Sequence, residues 1–124
     1  MKRFHHVGLP AAVQDISMPG ESFVEATRTW VTNPADHPQR IEWLRYEPDT
    51  TVDREFQISA HICYEVDALP DVSADDVVAL GPFDVGEPPF GRALFINEDG
   101  IAVEYLQIFP DRRWFDDDIA PNGS

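Results

Sequence analysis

The chain has a single cysteine, Cys63, so it forms no disulfide within itself. That thiol lies in an apolar run and reads as a buried, inert core residue. Basic side chains are scarce. Nine Lys and Arg stand against 23 Asp and Glu, a formal net charge of −14. A surface of that sign repels nucleic acid and anionic membranes, so neither is expected as a partner. No apolar run is long enough to span a bilayer, and the first residues carry no secretory signal pattern. A cytoplasmic location is the expectation that follows.

What is present is ordinary globular material. The apolar fraction of 43% excludes disorder as the default, and 124 residues make a single domain over 1–124. Periodicity is mostly of the strand type. "KRFHHVGLP" predicts a first strand, stopped by Gly8 and Pro10. "SFVEATRTWVT" alternates throughout and predicts one more, and "QRIEWLRYE" predicts another after the turn "NPADHP". A strand is expected from about Ser59 to Val66. "LPDVSADDVVALG" predicts a short helix, with Ser73 as N-cap, Asp75 and Asp76 in the first turn and Gly81 as the stop. "RALFINEDGIAVEYLQIF" predicts a hairpin turning at "NEDG". Residues 11–22 sit where symmetry asks for a first helix, but Pro19-Gly20 limits it to a turn or two. The tail, 111–124, reads as a surface segment.

The two halves carry the same punctuation. "FHHVGLP" aligns with "AHICYEV" at a histidine followed by an apolar residue, and "IEWLRYE" aligns with "VEYLQIF" in the pattern apolar-Glu-aromatic-Leu. Each half opens on a His-bearing strand and closes on a Glu-bearing one, which is the pattern of a duplicated unit. His6, Glu42, His61 and Glu104 are then four ligands of two types. Imidazole and carboxylate together suit one divalent ion, whether Zn, Ni, Co, Mn or Fe. Alternation puts Glu42 on a face with Leu44 and Tyr46, and Glu104 on one with Ala102 and Leu106. A carboxylate in such company is costly to bury unless a cation compensates it. His5, next to His6, is expected to face outward.

These motifs resemble the vicinal oxygen chelate superfamily, the group of glyoxalases, bleomycin-resistance proteins and extradiol dioxygenases. The resemblance runs from about residue 4 to 108 and is strongest over "AHICYEVDAL … GRALFINEDGIAVEYLQ". It implies an α+β fold of two βαβββ modules, about 1–55 and 56–110, the first with a shortened helix. Their sheets would curl around a metal cavity held by His6, Glu42, His61 and Glu104. It also implies a homodimer acting on a small molecule. The first module departs from the pattern in its helix region, which argues against a glutathione pocket.

The activity implied is that of a metal-dependent isomerase, epimerase or lyase. Such an enzyme chelates vicinal oxygens of a small hydroxy-carbonyl substrate and abstracts a proton through an enediolate. Glu42 and Glu104 are the candidate bases, and Tyr46 and Arg92 the candidate substrate contacts, with Arg45 a further cation to consider. An extradiol-type dioxygenase is the first alternative, disfavoured by a glutamate at position 42. A non-catalytic drug-binding resistance protein is the second, disfavoured by the intact ligand set. Trp30, Trp43 and Trp114 would be its stacking walls.

Overall fold

The structure is a computed structural model, and it describes residues 2–114. Strands make up 46% of it and helices 7%, so the architecture is mostly β. Eight strands form one mixed sheet, curled into a half-barrel. They are β1 (Lys2–Pro10), β2 (Ser22–Val24), β3 (Thr29–Val31), β4 (Ile41–Tyr46), β5 (His61–Val66), β6 (Val77–Val85), β7 (Gly91–Glu98) and β8 (Ile101–Ile108). The helical part reduces to a 3-10 turn at Pro34–Asp36 and a four-residue helix α1 (Arg54–Gln57), which Asp53 caps by accepting from the Phe56 amide. No helix among the described residues is long and apolar enough to cross a membrane.

The strand order is β2-β3-β4-β1-β5-β8-β7-β6. At its centre β1 and β5 run antiparallel. Outward from that pair, β4 lies parallel to β1, and β8 lies parallel to β5. The register repeats as the order does. His6 stands opposite Cys63, and Cys63 opposite Glu104. His61 stands opposite Gly8, and Gly8 opposite Glu42. Because side chains alternate with a period of two, a histidine and the residue two places on share a face. Each histidine therefore lies over the small residue that follows its counterpart.

The inward face of the curl carries the core, including Val24, Val31, Leu44, Val85, Phe95 and Leu106. The hairpin between β7 and β8 closes at the Glu98–Ile101 pair. Its two turn residues, Asp99 and Gly100, have φ of 53 and 82, the conformation that suits a two-residue turn between twisted strands.

Several sequence expectations are corrected here. Residues 22–32 form a hairpin rather than one strand, because Arg28 turns the chain at φ 53 and its guanidinium is held by Glu25 and Asp49. No helix follows Ser73. The capping contacts do form, with Ser73 N donating to Asp76 Oδ2 at 2.8 Å and Asp75 N to Ser73 Oγ at 3.3 Å. The chain then leaves as β6, where Val77 pairs with Asn97. Two consecutive β-branched valines favour that outcome. Residues 11–21 make bends and turns without a helix. The strand expected from Ser59 begins at His61.

The two ends of the sheet differ. β2 has only three residues. β6 has nine, with Pro82 inside it and register shifts between Val78 and Leu80 and between Leu80 and Phe83.

Candidate metal centre

The four residues expected as ligands come together inside the curl. His6 is fully buried, and Glu42, His61 and Glu104 are each at most 6% exposed. His6 Nε2 lies 3.3 Å from Glu42 Oε1, 3.3 Å from Glu104 Oε1 and 3.3 Å from His61 Nε2. His61 Nε2 lies 3.1 Å from Glu104 Oε1 and 3.7 Å from Glu42 Oε1. Donors held at about 2.1 Å by one ion stand about 3.0 Å apart when cis in an octahedron and about 3.4 Å apart in a tetrahedron. His6, His61 and Glu104 offer three donor atoms within 4.8 Å of one another, at separations of 3.1–3.3 Å that lie between those values. These three suit a single divalent ion. Glu42 reaches both histidines but lies outside that group.

The electrostatics fit as well. Burial alone pushes the Glu104 carboxyl up, but hydrogen bonds from His6 and His61 outweigh it and hold the group well below the usual carboxylate range. Burial likewise drives His6 down, and Glu42, Cys63 and Glu104 overcome it, raising the imidazole well above its ordinary value. The buried carboxylates therefore favour a positive charge beside them, which a proton on His6 supplies and a bound cation could supply in its place.

Small neighbours make the convergence possible. A Cβ on Gly8 would lie 2.0 Å from His61 Cε1. Glycine is thus required where the His61 ring crosses β1. Phe56 and Phe95 hold that ring from two sides, at centroid distances of 6.3 and 5.0 Å. Cys63, the counterpart of Gly8, is wholly buried, and burial beside Glu104 pushes its thiol up. It stays protonated and inert, as its apolar surroundings suggest.

Glu42, His61 and Glu104 open onto a cavity of about 40 Å³, while His6 lies behind them. The walls are mostly apolar, from Val24, Val31, Leu44, Leu80, Phe83, Val85 and Phe95. Among the described residues the lining holds no Lys or Arg. Tyr46 and Thr27 also line it, both buried, and neither hydroxyl has a hydrogen-bond partner among the described residues. Burial, with Glu42 and Glu104 nearby, raises the Tyr46 phenol.

Other expected residues fall elsewhere. Arg92 is on the exposed side of β7, 3.4 Å from Asp84, and is no part of the cavity. Arg45 is buried on the opposite face of β4, held by both carboxylate oxygens of Glu21 at 2.9 and 2.7 Å. Trp30 packs on Phe23 and donates to Glu47, and Trp43 pairs with His37.

His5 corrects an expectation, because it points inward. Its side chain is buried beside His6, and burial, then His6 itself, lowers its imidazole to about 4. The surface reading of the tail is corrected at its start, where Trp114 lies against His5, His6 and Phe90 and lines the cavity, as a core tryptophan does. The remainder of the expected tail, 115–124, is outside the described residues. Gly8 had a readable signal, since it follows His6 by two places as Cys63 follows His61. No protein-family model, curated protein or solved structure matches the chain.

Proposed function

We propose that this chain is a metal-dependent enzyme of the glyoxalase-like kind, an isomerase, epimerase or lyase acting on a small hydroxy-carbonyl compound. The observation that carries this reading is the convergence of His6, His61 and Glu104 donor atoms at 3.1–3.3 Å, with Glu42 Oε1 at 3.3 and 3.7 Å from the two histidines. The repeated register around β1 and β5 supports the finer proposal that the half-barrel consists of two modules of one ancestry, with their helices lost or reduced. The resemblance to vicinal oxygen chelate proteins rests on the same four ligands. From it comes the further proposal of a homodimer, whereas the proposal of a cytoplasmic location rests on the lone cysteine.

A divalent ion held by His6, Glu42, His61 and Glu104 supplies Lewis acidity to adjacent substrate oxygens. The remaining work falls to the chain. Glu42 is the first candidate for the base, because it lies farther from His61 than Glu104 does and is the less tightly held of the two. Tyr46 and Thr27 offer buried hydroxyls to a substrate oxygen. Apolar walls exclude water from the deprotonated carbon. The absence of lining cations among the described residues favours an uncharged substrate over a phosphate ester. A cavity of about 40 Å³ lies far below the roughly 300–1,000 Å³ of drug-sized pockets, which disfavours the sequestering reading.

Elemental analysis after incubation with Zn, Ni, Co and Mn tests the centre, with one ion per chain expected in the wild type and a more weakly held ion in His61→Ala. Loss of α-hydrogen to deuterated solvent from hydroxyacetone tests the chemistry. A wild type that takes up none of these metals sinks the reading.

A further inference from the structure

Strand β1 carries one extra residue at His5. Phe4 pairs with Tyr64, but the next pair is His6 with Cys63. A bulge of this kind lets two consecutive side chains turn to the same side. Arg40 braces it. Its carbonyl accepts from the Val7 amide at 3.0 Å, and its Nε donates to the His5 carbonyl. Trp114 covers both rings, with centroids 5.1 Å from His5 and 5.6 Å from His6.

Inside this enclosure His5 Nδ1 lies 2.8 Å from His6 Nδ1. Two ring nitrogens that close must share a hydrogen, one donating and the other accepting. At the far side of the His6 ring, Nε2 faces Glu42, Glu104 and His61. A neutral imidazole that offers Nε2 to a cation carries its hydrogen on Nδ1. The nitrogen acceptor within reach of that hydrogen is His5 Nδ1 at 2.8 Å, and the Cys63 thiol is a further hydrogen-bonding neighbour of the ring.

We propose that His5 is a positioning residue: by accepting a hydrogen bond from His6 Nδ1–H, it fixes the His6 ring and tautomer so that Nε2 faces the metal centre. The consequence for metal binding rests on the function proposed above, whereas the hydrogen bond itself does not. One other use of the same atoms competes. His5, His6 and Cys63 offer three donor atoms within 4.8 Å of one another, which suggests a second ion. The nitrogen separation decides between them, since 2.8 Å is a hydrogen-bond length and is shorter than the roughly 3.4 Å between ligands of a tetrahedral ion.

Nitrogen-15 NMR of the metal-free full chain, labelled at histidine, tests the bond. The expected result is a hydrogen on His6 Nδ1, none on His5 Nδ1, and a scalar coupling between the two nitrogens. A hydrogen on His5 Nδ1, or a bare His6 Nδ1, overturns the proposal. Zinc affinity, measured by competition with a chromophoric chelator, tests the role. His5→Phe keeps the packing against Trp114 and should lose about 10–100-fold. His5→Asn puts an amide oxygen near the lost acceptor and should recover most of that. Equal losses in the two variants, or none in His5→Phe, overturn the proposal, as do two zinc ions per wild-type chain with one lost in Cys63→Ser. A wild type that shows the coupling but binds no zinc removes the metal centre, and the role of His5 with it, while the bond stands.

Discussion

His6 and His61 occupy matching places in a repeated strand register, yet their surroundings are unlike. His6 is sealed, with His5 and Cys63 at one side, Trp114 above, and no exposure. His61 stands on bare backbone at Gly8, between two phenylalanines, and opens onto the cavity. Beyond the contacts the two imidazoles share with Glu42 and Glu104, one is held by further polar neighbours and the other by the shape of its surroundings. Symmetry of the backbone has been kept where the donors must meet. It has been abandoned around the rings, where one is enclosed and the other borders the cavity.

The strongest way to break this comparison is to fill the space under His61. Gly8→Ala should displace the ring, costing about 3 kcal/mol in stability and abolishing stoichiometric zinc uptake. The matching change, Cys63→Ala, should cost on the order of 1 kcal/mol and leave zinc bound. Urea titration and elemental analysis read both. Equal effects would show that the two sites are packed alike.

Ligand removal comes next. His61→Ala and Glu104→Gln should each weaken zinc by about 100-fold, taking one ligand as roughly a quarter of the binding free energy of a four-ligand site. Isothermal titration measures the loss, and a change below tenfold in either would take that side chain out of the set.

A pH series separates the sealed histidine from its partner carboxylate. In the metal-free protein the raised His6 contributes stability fully below its unfolded value of 6.5, and that contribution is lost as pH rises through its folded value. The depressed Glu104 contributes above its unfolded value of 4.5 and is lost as pH falls. The Tm of chelator-treated protein should therefore decline upward from pH 6.5. Zinc-loaded protein should gain over the same interval, because a ligating imidazole must be deprotonated. Parallel curves with and without zinc would contradict this.

The smallest expected effect lies in the turn of the second half. Gly100→Ala meets no atom within 4 Å, so only its φ of 82 resists, at about 1 kcal/mol. Chemical denaturation should register that cost while zinc affinity stays unchanged.

Much of this was legible in advance, for physical reasons. The cluster of His6, Glu42, His61 and Glu104 could be read because a histidine or glutamate on an apolar strand face breaks the local pattern, and a duplicated break is harder to ignore than a single one. The β7–β8 hairpin was legible because Asp-Gly names its own turn. Alternation fails wherever the backbone departs from a plain strand. It carried straight through Arg28, whose left-handed turn leaves no mark on the pattern, and it sent His5 outward because a bulge adds a residue that no periodicity shows. The helix expected after Ser73 had real capping contacts but no continuation, since Val77 and Val78 found a partner in β7. Trp114 lay beyond any pattern, because its place depends on a groove that strands distant in sequence create.

The two margins of the sheet bear on how copies of the chain meet in a crowded solution. A strand of three residues offers too little backbone for another chain to zip against, and a long strand interrupted by Pro82 and two register shifts offers a crooked one. Lateral growth is thus discouraged at both borders by different means, and a net charge of −14 adds repulsion at longer range. Any partnership between two copies would have to be made broadside, face against face.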